Sequence, residues 1–121
     1  MYSIKVEAYF SSAHNLRGYK GKCEELHGHN WKVELSVRQE NLDKAGMLMD
    51  FHDLKAKLNK VLEKLDHKYL NKAAYFKKVN PTSENIARYI YDSLKKDIPA
   101  IKFVTVWENI SCAATYEPRP F

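Results

Sequence analysis

Cys23-Glu24-Glu25-Leu26-His27-Gly28-His29-Asn30-Trp31-Lys32-Val33-Glu34-Leu35-Ser36-Val37-Arg38 is the stretch that decides the fold. From residue 29 onward Trp31, Val33, Leu35 and Val37 alternate with Lys32, Glu34, Ser36 and Arg38. A period of two is the mark of a half-buried strand, which places His27 and His29 on the extended apolar side. Residues 2–14 carry the same pattern in Tyr2, Ile4, Val6, Ala8 and Phe10, and the alternation puts His14 on the apolar face too. If the two strands pair antiparallel, the end of the first lies beside the start of the second. Three imidazoles then meet at one end of a sheet.

On its own a His-x-His pair fits either a metal site or two surface histidines, and His14 with the predicted hairpin favours the metal. Three neutral imidazoles with no fourth protein ligand suit a catalytic Zn2+, because a tetrahedral ion keeps one position open. The chain has no Cys-x-x-Cys pair to build a structural zinc knuckle.

At 121 residues the sequence is expected to form one domain, 1–121. No apolar run is long enough to cross a bilayer, and residues 1–7 lack a signal-peptide core, so a cytoplasmic location and no membrane partner are expected. Two cysteines make no disulfide framework. Cys112 is read as a packed core residue, and Cys23, in a loop rich in glycine and charge, as a reactive thiol. The net charge of +5 is spread among interleaved acids, with no aromatic and basic signature of a nucleic-acid module. No nucleic-acid partner is expected. Arg17-Gly18-Tyr19-Lys20-Gly21-Lys22 is either a phosphate-holding segment or a solvated loop.

Past the hairpin, Asp50 reads as an N-cap with Asp53 in the first turn, and Leu54, Leu58, Val61, Leu62 and Leu65 form one apolar stripe. His52 falls on the surface of that helix. Thr82 caps a second helix with Ile86, Ala87, Ile90 and Leu94 inward, ending before Pro99. Strands are predicted at about 102–108 and 110–116. The order ββααββ implies an α+β domain, a four-stranded antiparallel sheet with two helices on one face. Its unprotected edges point to a homo-oligomer. Asp66-His67 after the first helix is either a solvated terminus or a proton-transfer pair. Glu108, at a strand end, is either solvated or an acceptor for a planar heterocycle.

His14, Cys23-x-x-x-His27-Gly28-His29, Leu65-Asp66-His67-Lys68-Tyr69-Leu70-Asn71, Asn80-Pro81-Thr82-Ser83-Glu84-Asn85 and Glu108 together resemble the 6-pyruvoyltetrahydropterin synthase family. The resemblance runs over nearly the whole chain and is nearest the 6-carboxytetrahydropterin synthase subgroup of queuosine biosynthesis. It implies the tunnelling fold, with trimers closing into a barrel, two trimers stacking as a hexamer, and active sites between subunits. It implies that His14, His27 and His29 hold zinc and that Cys23, Asp66 and His67 transfer protons. Glu108 would anchor a pterin, helped by Thr82 and Ser83.

The implied substrate is the pterin triphosphate 7,8-dihydroneopterin triphosphate, and the implied products are 6-carboxy-5,6,7,8-tetrahydropterin, acetaldehyde and triphosphate. Such an enzyme is a carbon–carbon lyase. A folate-serving subgroup carries a glutamate where this chain has Glu24 and releases 6-hydroxymethyl-7,8-dihydropterin. Glu24 is therefore either a solvated loop acid or a candidate acid for a second activity. A non-catalytic metal or pterin carrier is the alternative of another class.

Overall fold

The computed structural model describes residues 1–19, 21 and 24–119. Its long hairpin pairs β1 (Tyr2–His14) with β2 (His27–Gln39) in an unbroken antiparallel register that runs from Tyr2 opposite Gln39 to His14 opposite His27. The parity expected from the sequence holds. Val6, Ala8, Phe10, Ser12 and His14 of β1 are buried, as are Trp31, Val33, Leu35 and Val37 of β2.

After the hairpin come α1 (Phe51–Leu62), β3 (Lys68–Tyr69), a 3-10 turn at Leu70–Lys72 and α2 (Ala74–Lys78). The chain ends in α3 (Ser83–Leu94), β4 (Ile101–Trp107) and β5 (Ala113–Tyr116). The four antiparallel strands of the sequence reading are present as β1-β2-β4-β5, and the sheet order is β3-β1-β2-β4-β5. What the sequence did not announce is β3, which runs parallel to β1 through Ser12–Lys68 and Ala13–Tyr69, and the short α2. Two and five residues are too few for a hydrophobic period to register.

Both long helices begin as their caps dictate. The Asp50 carboxylate accepts the His52 N–H at 2.7 Å, and the Thr82 hydroxyl accepts the Asn85 N–H at 3.1 Å. Each such cap satisfies an otherwise orphaned donor and contributes about 1 kcal/mol. His52 is exposed. Leu54, Leu58, Val61 and Leu62 of α1 and Ile86, Ala87, Ile90 and Leu94 of α3 pack with the inner sheet face into one core. Fully burying a Leu or Ile side chain contributes about 1.5–3 kcal/mol.

α1 stops three residues short of the expected Leu65, which is nevertheless buried. The chain tightens there, with Lys64 N–H bonding to Val61 O and Leu65 N–H to Leu62 O, before His67 turns it with φ of +54°. No helix among the described residues is long and apolar enough to cross a membrane.

Cys112 corrects the sequence reading: it is exposed, not packed in the core. The cause is β5, which begins at Ala113 and leaves Cys112 in the turn after β4, with its carbonyl accepting the Glu108 N–H at 3.0 Å.

Candidate metal centre

The sheet end places the three histidines together. His14 and His27 are cross-strand partners, and His29 lies two residues further along the same face of β2. Ring centroids are 4.5 Å apart for His14–His27, 5.2 Å for His14–His29 and 4.8 Å for His27–His29. Trp31 forms an apolar wall, its ring centroid 4.9 Å from that of His14 and 5.1 Å from that of His29. The indole is wholly buried and its N–H donates to Ser12 O at 3.2 Å.

Glu108 joins this group, one residue beyond β4. Parity explains its arrival, because Val104 and Val106 point into the core and the next even residue continues on that face. One Glu108 carboxylate oxygen lies 3.5 Å from His14 Nε2 and 3.4 Å from His29 Nε2. One potential ligand atom from each of His14, His27, His29 and Glu108 falls within 4.8 Å of the others. The sequence offers three histidines without a fourth protein ligand, and the family resemblance implies a substrate role for Glu108. Geometry makes its carboxylate a fourth potential ligand.

Hydrogen bonds determine which nitrogens are free. His14 Nδ1 donates to Pro81 O at 2.7 Å, and His27 Nδ1 donates to Glu25 O at 2.7 Å. Each bond spends the ring proton and leaves the Nε2 lone pair bare, the usual outer-shell arrangement of a metal-ligating imidazole. Burial lowers the pKa of His14, reinforced by the neighbouring His27 and His29 rings, against the opposing pull of the Pro81 carbonyl and the Glu108 carboxylate. Burial lowers that of His29 as well, over the opposing pull of Glu108. Both rings are therefore neutral at pH 7, so their approach to Glu108 is not an ion pair. His14 Nε2 and His29 Nε2 are buried and have no hydrogen-bond partner. Buried imidazole nitrogens without partners converge here with a carboxylate, an arrangement costly by itself and relieved by a cation. The cluster can bind a metal ion.

Asp66 and His67 stand on the far side of β1. Asp66 Oδ1 accepts the Ser11 N–H at 2.8 Å, and His67 N–H donates to Ser11 O at 2.6 Å. The second Asp66 oxygen lies 3.5 Å from His67 Nε2, so these adjacent residues do face one another. The His67 side chain is 81% exposed, and the residue shares a cavity of about 530 Å³ with Gly28 and His29. A neighbouring cavity of about 620 Å³ is lined by His29, Glu108, Trp107, Lys32, Tyr9 and Ile110 among others.

Other expected site residues lie apart from the cluster. Thr82 and Ser83 open α3 and line neither cavity, and the Thr82 hydroxyl is engaged as the cap. Pro81, immediately before Thr82, meets the centre through its carbonyl, which holds His14. Glu24 is exposed, with its N–H on Gly21 O at 3.1 Å. Cys23 lies outside the described residues, as do Lys20 and Lys22. Arg17, the remaining cation of the suggested phosphate segment, directs Nη2 at Phe76 O and Val79 O. It serves as a clamp on residues 76–79.

The family model of 6-pyruvoyl tetrahydropterin synthase matches residues 3–119. A protein from Synechocystis sp. named 6-carboxy-5,6,7,8-tetrahydropterin synthase is 38% identical, covering 98% of this chain and 96% of the relative. A dihydroneopterin monophosphate aldolase from Pyrococcus furiosus is also 38% identical, covering 88% of this chain and 89% of the relative. Among solved structures, Caenorhabditis elegans 6-pyruvoyl tetrahydropterin synthase superposes with a TM-score of 0.88 at 30% identity, covering 98% of this chain and 96% of that one.

Proposed function

We propose, for a chain that belongs to the 6-pyruvoyl tetrahydropterin synthase family, a zinc-dependent lyase acting on 7,8-dihydroneopterin triphosphate. With uptake of water, it forms 6-carboxy-5,6,7,8-tetrahydropterin and releases acetaldehyde and triphosphate. The observation that carries this reading is the convergence of His14, His27, His29 and Glu108, with two buried imidazole nitrogens left without a partner.

His14, His27 and His29 would hold the ion, and the Pro81 and Glu25 carbonyls keep two of those rings in the ligating tautomer. When bound, zinc supplies Lewis acidity that makes a C–H beside the substrate's side-chain hydroxyls easier to ionise. Glu108 is about one-third exposed, which leaves its carboxylate free to turn from the cluster to a pterin's 2-amino and ring N–H edge. Thr82 and Ser83 add to that subsite. Cys23 takes and returns the proton, aided by His67, whose imidazole the Asp66 carboxylate orients. Trp31 keeps water from the floor of the site.

Assembly is part of the reading. Asp66, His67 and β3 cover only residues 11–13 of β1, so residues 2–10 present an edge with no strand beside it among the described residues, as does the outer side of β5. Two such edges suit closure of three sheets into a barrel and stacking as a homo-hexamer. The exposed Asp66–His67 pair beside the β1 edge would then serve a neighbouring chain's metal.

A second reading is favoured by the likeness to dihydroneopterin monophosphate aldolase and by Glu24 next to Cys23. In it the chain forms 6-hydroxymethyl-7,8-dihydropterin, alone or as a second activity. Incubation with dihydroneopterin triphosphate, followed by mass identification of the pterins, tests both. The 6-carboxy product is expected. The hydroxymethyl product alone supports the second reading, and bound but unconsumed substrate indicates a carrier.

A further inference from the structure

Beyond His14 the chain continues as Asn15, Leu16 and Arg17, past the last residue that β2 or β3 pairs with. Two asparagine side chains stand where a neighbouring strand would be. Asn71 Oδ1 accepts the Asn15 N–H at 3.0 Å while its Nδ2 donates to Asn15 O at 2.8 Å. Asn80 Oδ1 accepts the Arg17 N–H at 2.9 Å while its Nδ2 donates to Arg17 O at 2.8 Å. A primary amide carries a donor and an acceptor side by side, so each asparagine reproduces the two-point contact of a strand partner, one at Asn15 and one at Arg17.

Each contact is braced at one partner, the first at Asn15 and the second at Asn80. Tyr69 O–H donates to Asn15 Oδ1 at 2.5 Å, and Asn85 Nδ2 donates to Asn80 O at 2.9 Å. Asn71 is 8% exposed, so its bonds form where water competes little. The residue after Asn80 is Pro81, whose carbonyl fixes the His14 ring. Asn80 thus grips the chain beyond His14 with its side chain and leads directly to the carbonyl that orients the imidazole.

We propose that Asn71 and Asn80 are positioning residues of the metal centre. They lock the exit of β1 against residues 69–81 so that His14 Nε2 stays aimed at the ion. The inference rests on the metal centre proposed above and not on which pterin is turned over. Loss of either amide frees two backbone groups at Asn15 or Arg17, and loss of Asn80 also loosens the approach to Pro81. Groups that bond a ligand directly, as the Pro81 carbonyl bonds His14, typically carry about 10–100-fold in metal affinity, and these amides act through that group.

Zinc affinity of the full-length protein, measured by competition with a chromophoric chelator, tests this without reference to turnover. Asn80→Ala and Asn71→Ala are expected to weaken zinc binding by about tenfold or more. Asn80→Asp, which keeps the acceptor and loses the donor, should fall in between and carries the test if the alanine variants do not fold. Leu58→Ala, a core truncation in α1, is the control that lowers thermal stability and leaves zinc affinity unchanged. Wild-type zinc affinity in the folded asparagine variants, or an equal weakening by Leu58→Ala, overturns the inference. Zinc binding by the unsubstituted protein without pterin turnover would overturn the proposed reaction and leave this inference standing.

Discussion

His14 Nε2 lies 3.5 Å from a carboxylate oxygen of Glu108, and no proton is available to join them. The imidazole has spent its N–H on Pro81, and burial keeps the ring neutral. Two electron-rich atoms facing each other beside a second partnerless nitrogen, His29 Nε2, make sense around a dication.

The same burial sets a pH dependence. In the unfolded chain His14 and His29 protonate as pH falls through about 6.5, while in the folded, metal-free protein they stay neutral to lower pH. Below that point the unfolded state holds more protons, so stability falls as pH is lowered and is recovered as pH rises towards 7. Urea midpoints of metal-free protein should decline from about pH 7 to about pH 5, more steeply than those of a His14→Ala variant. An identical slope would contradict the buried neutral state.

Glu108→Gln separates a substrate anchor from an obligatory ligand. The amide keeps one acceptor and loses the charge. Zinc content is expected to be unchanged while kcat/KM falls by about 10–100-fold, as for loss of a charged hydrogen bond. Loss of zinc would make Glu108 a ligand first.

Cys23→Ala should retain stoichiometric zinc and lose turnover, since in the proposed reaction the three histidines hold the ion and Cys23 moves the proton. Full activity in that variant, or missing zinc, would remove Cys23 from the proton-transfer role.

His67 occupies the left-handed region at φ of +54°, which costs a non-glycine residue about 1–2 kcal/mol. His67→Gly should therefore leave the melting temperature equal or higher while abolishing turnover. A marked drop in melting temperature would show the ring to be structural.

The sequence revealed the hairpin, both long helices and the three histidines because strand parity and helix caps act over neighbouring residues. Glu108 was legible as a strand-end carboxylate, yet its entry into the cluster required carrying parity one step past Trp107, from Val104 and Val106. Asn71 and Asn80 were quoted within motifs, but their clamps on Asn15 and Arg17 span 56 and 63 residues, and no local pattern signals such pairing. Cys112 misled because the strand expected from Ile110 begins only at Ala113, which leaves the cysteine in the turn.

Elemental analysis of the purified protein beside His27→Ala tests the central claim most directly. The account predicts one zinc per chain in the unsubstituted protein and little in the variant, since two imidazoles hold the ion poorly. Stoichiometric zinc in His27→Ala, or no bound transition metal in the unsubstituted protein, would contradict it.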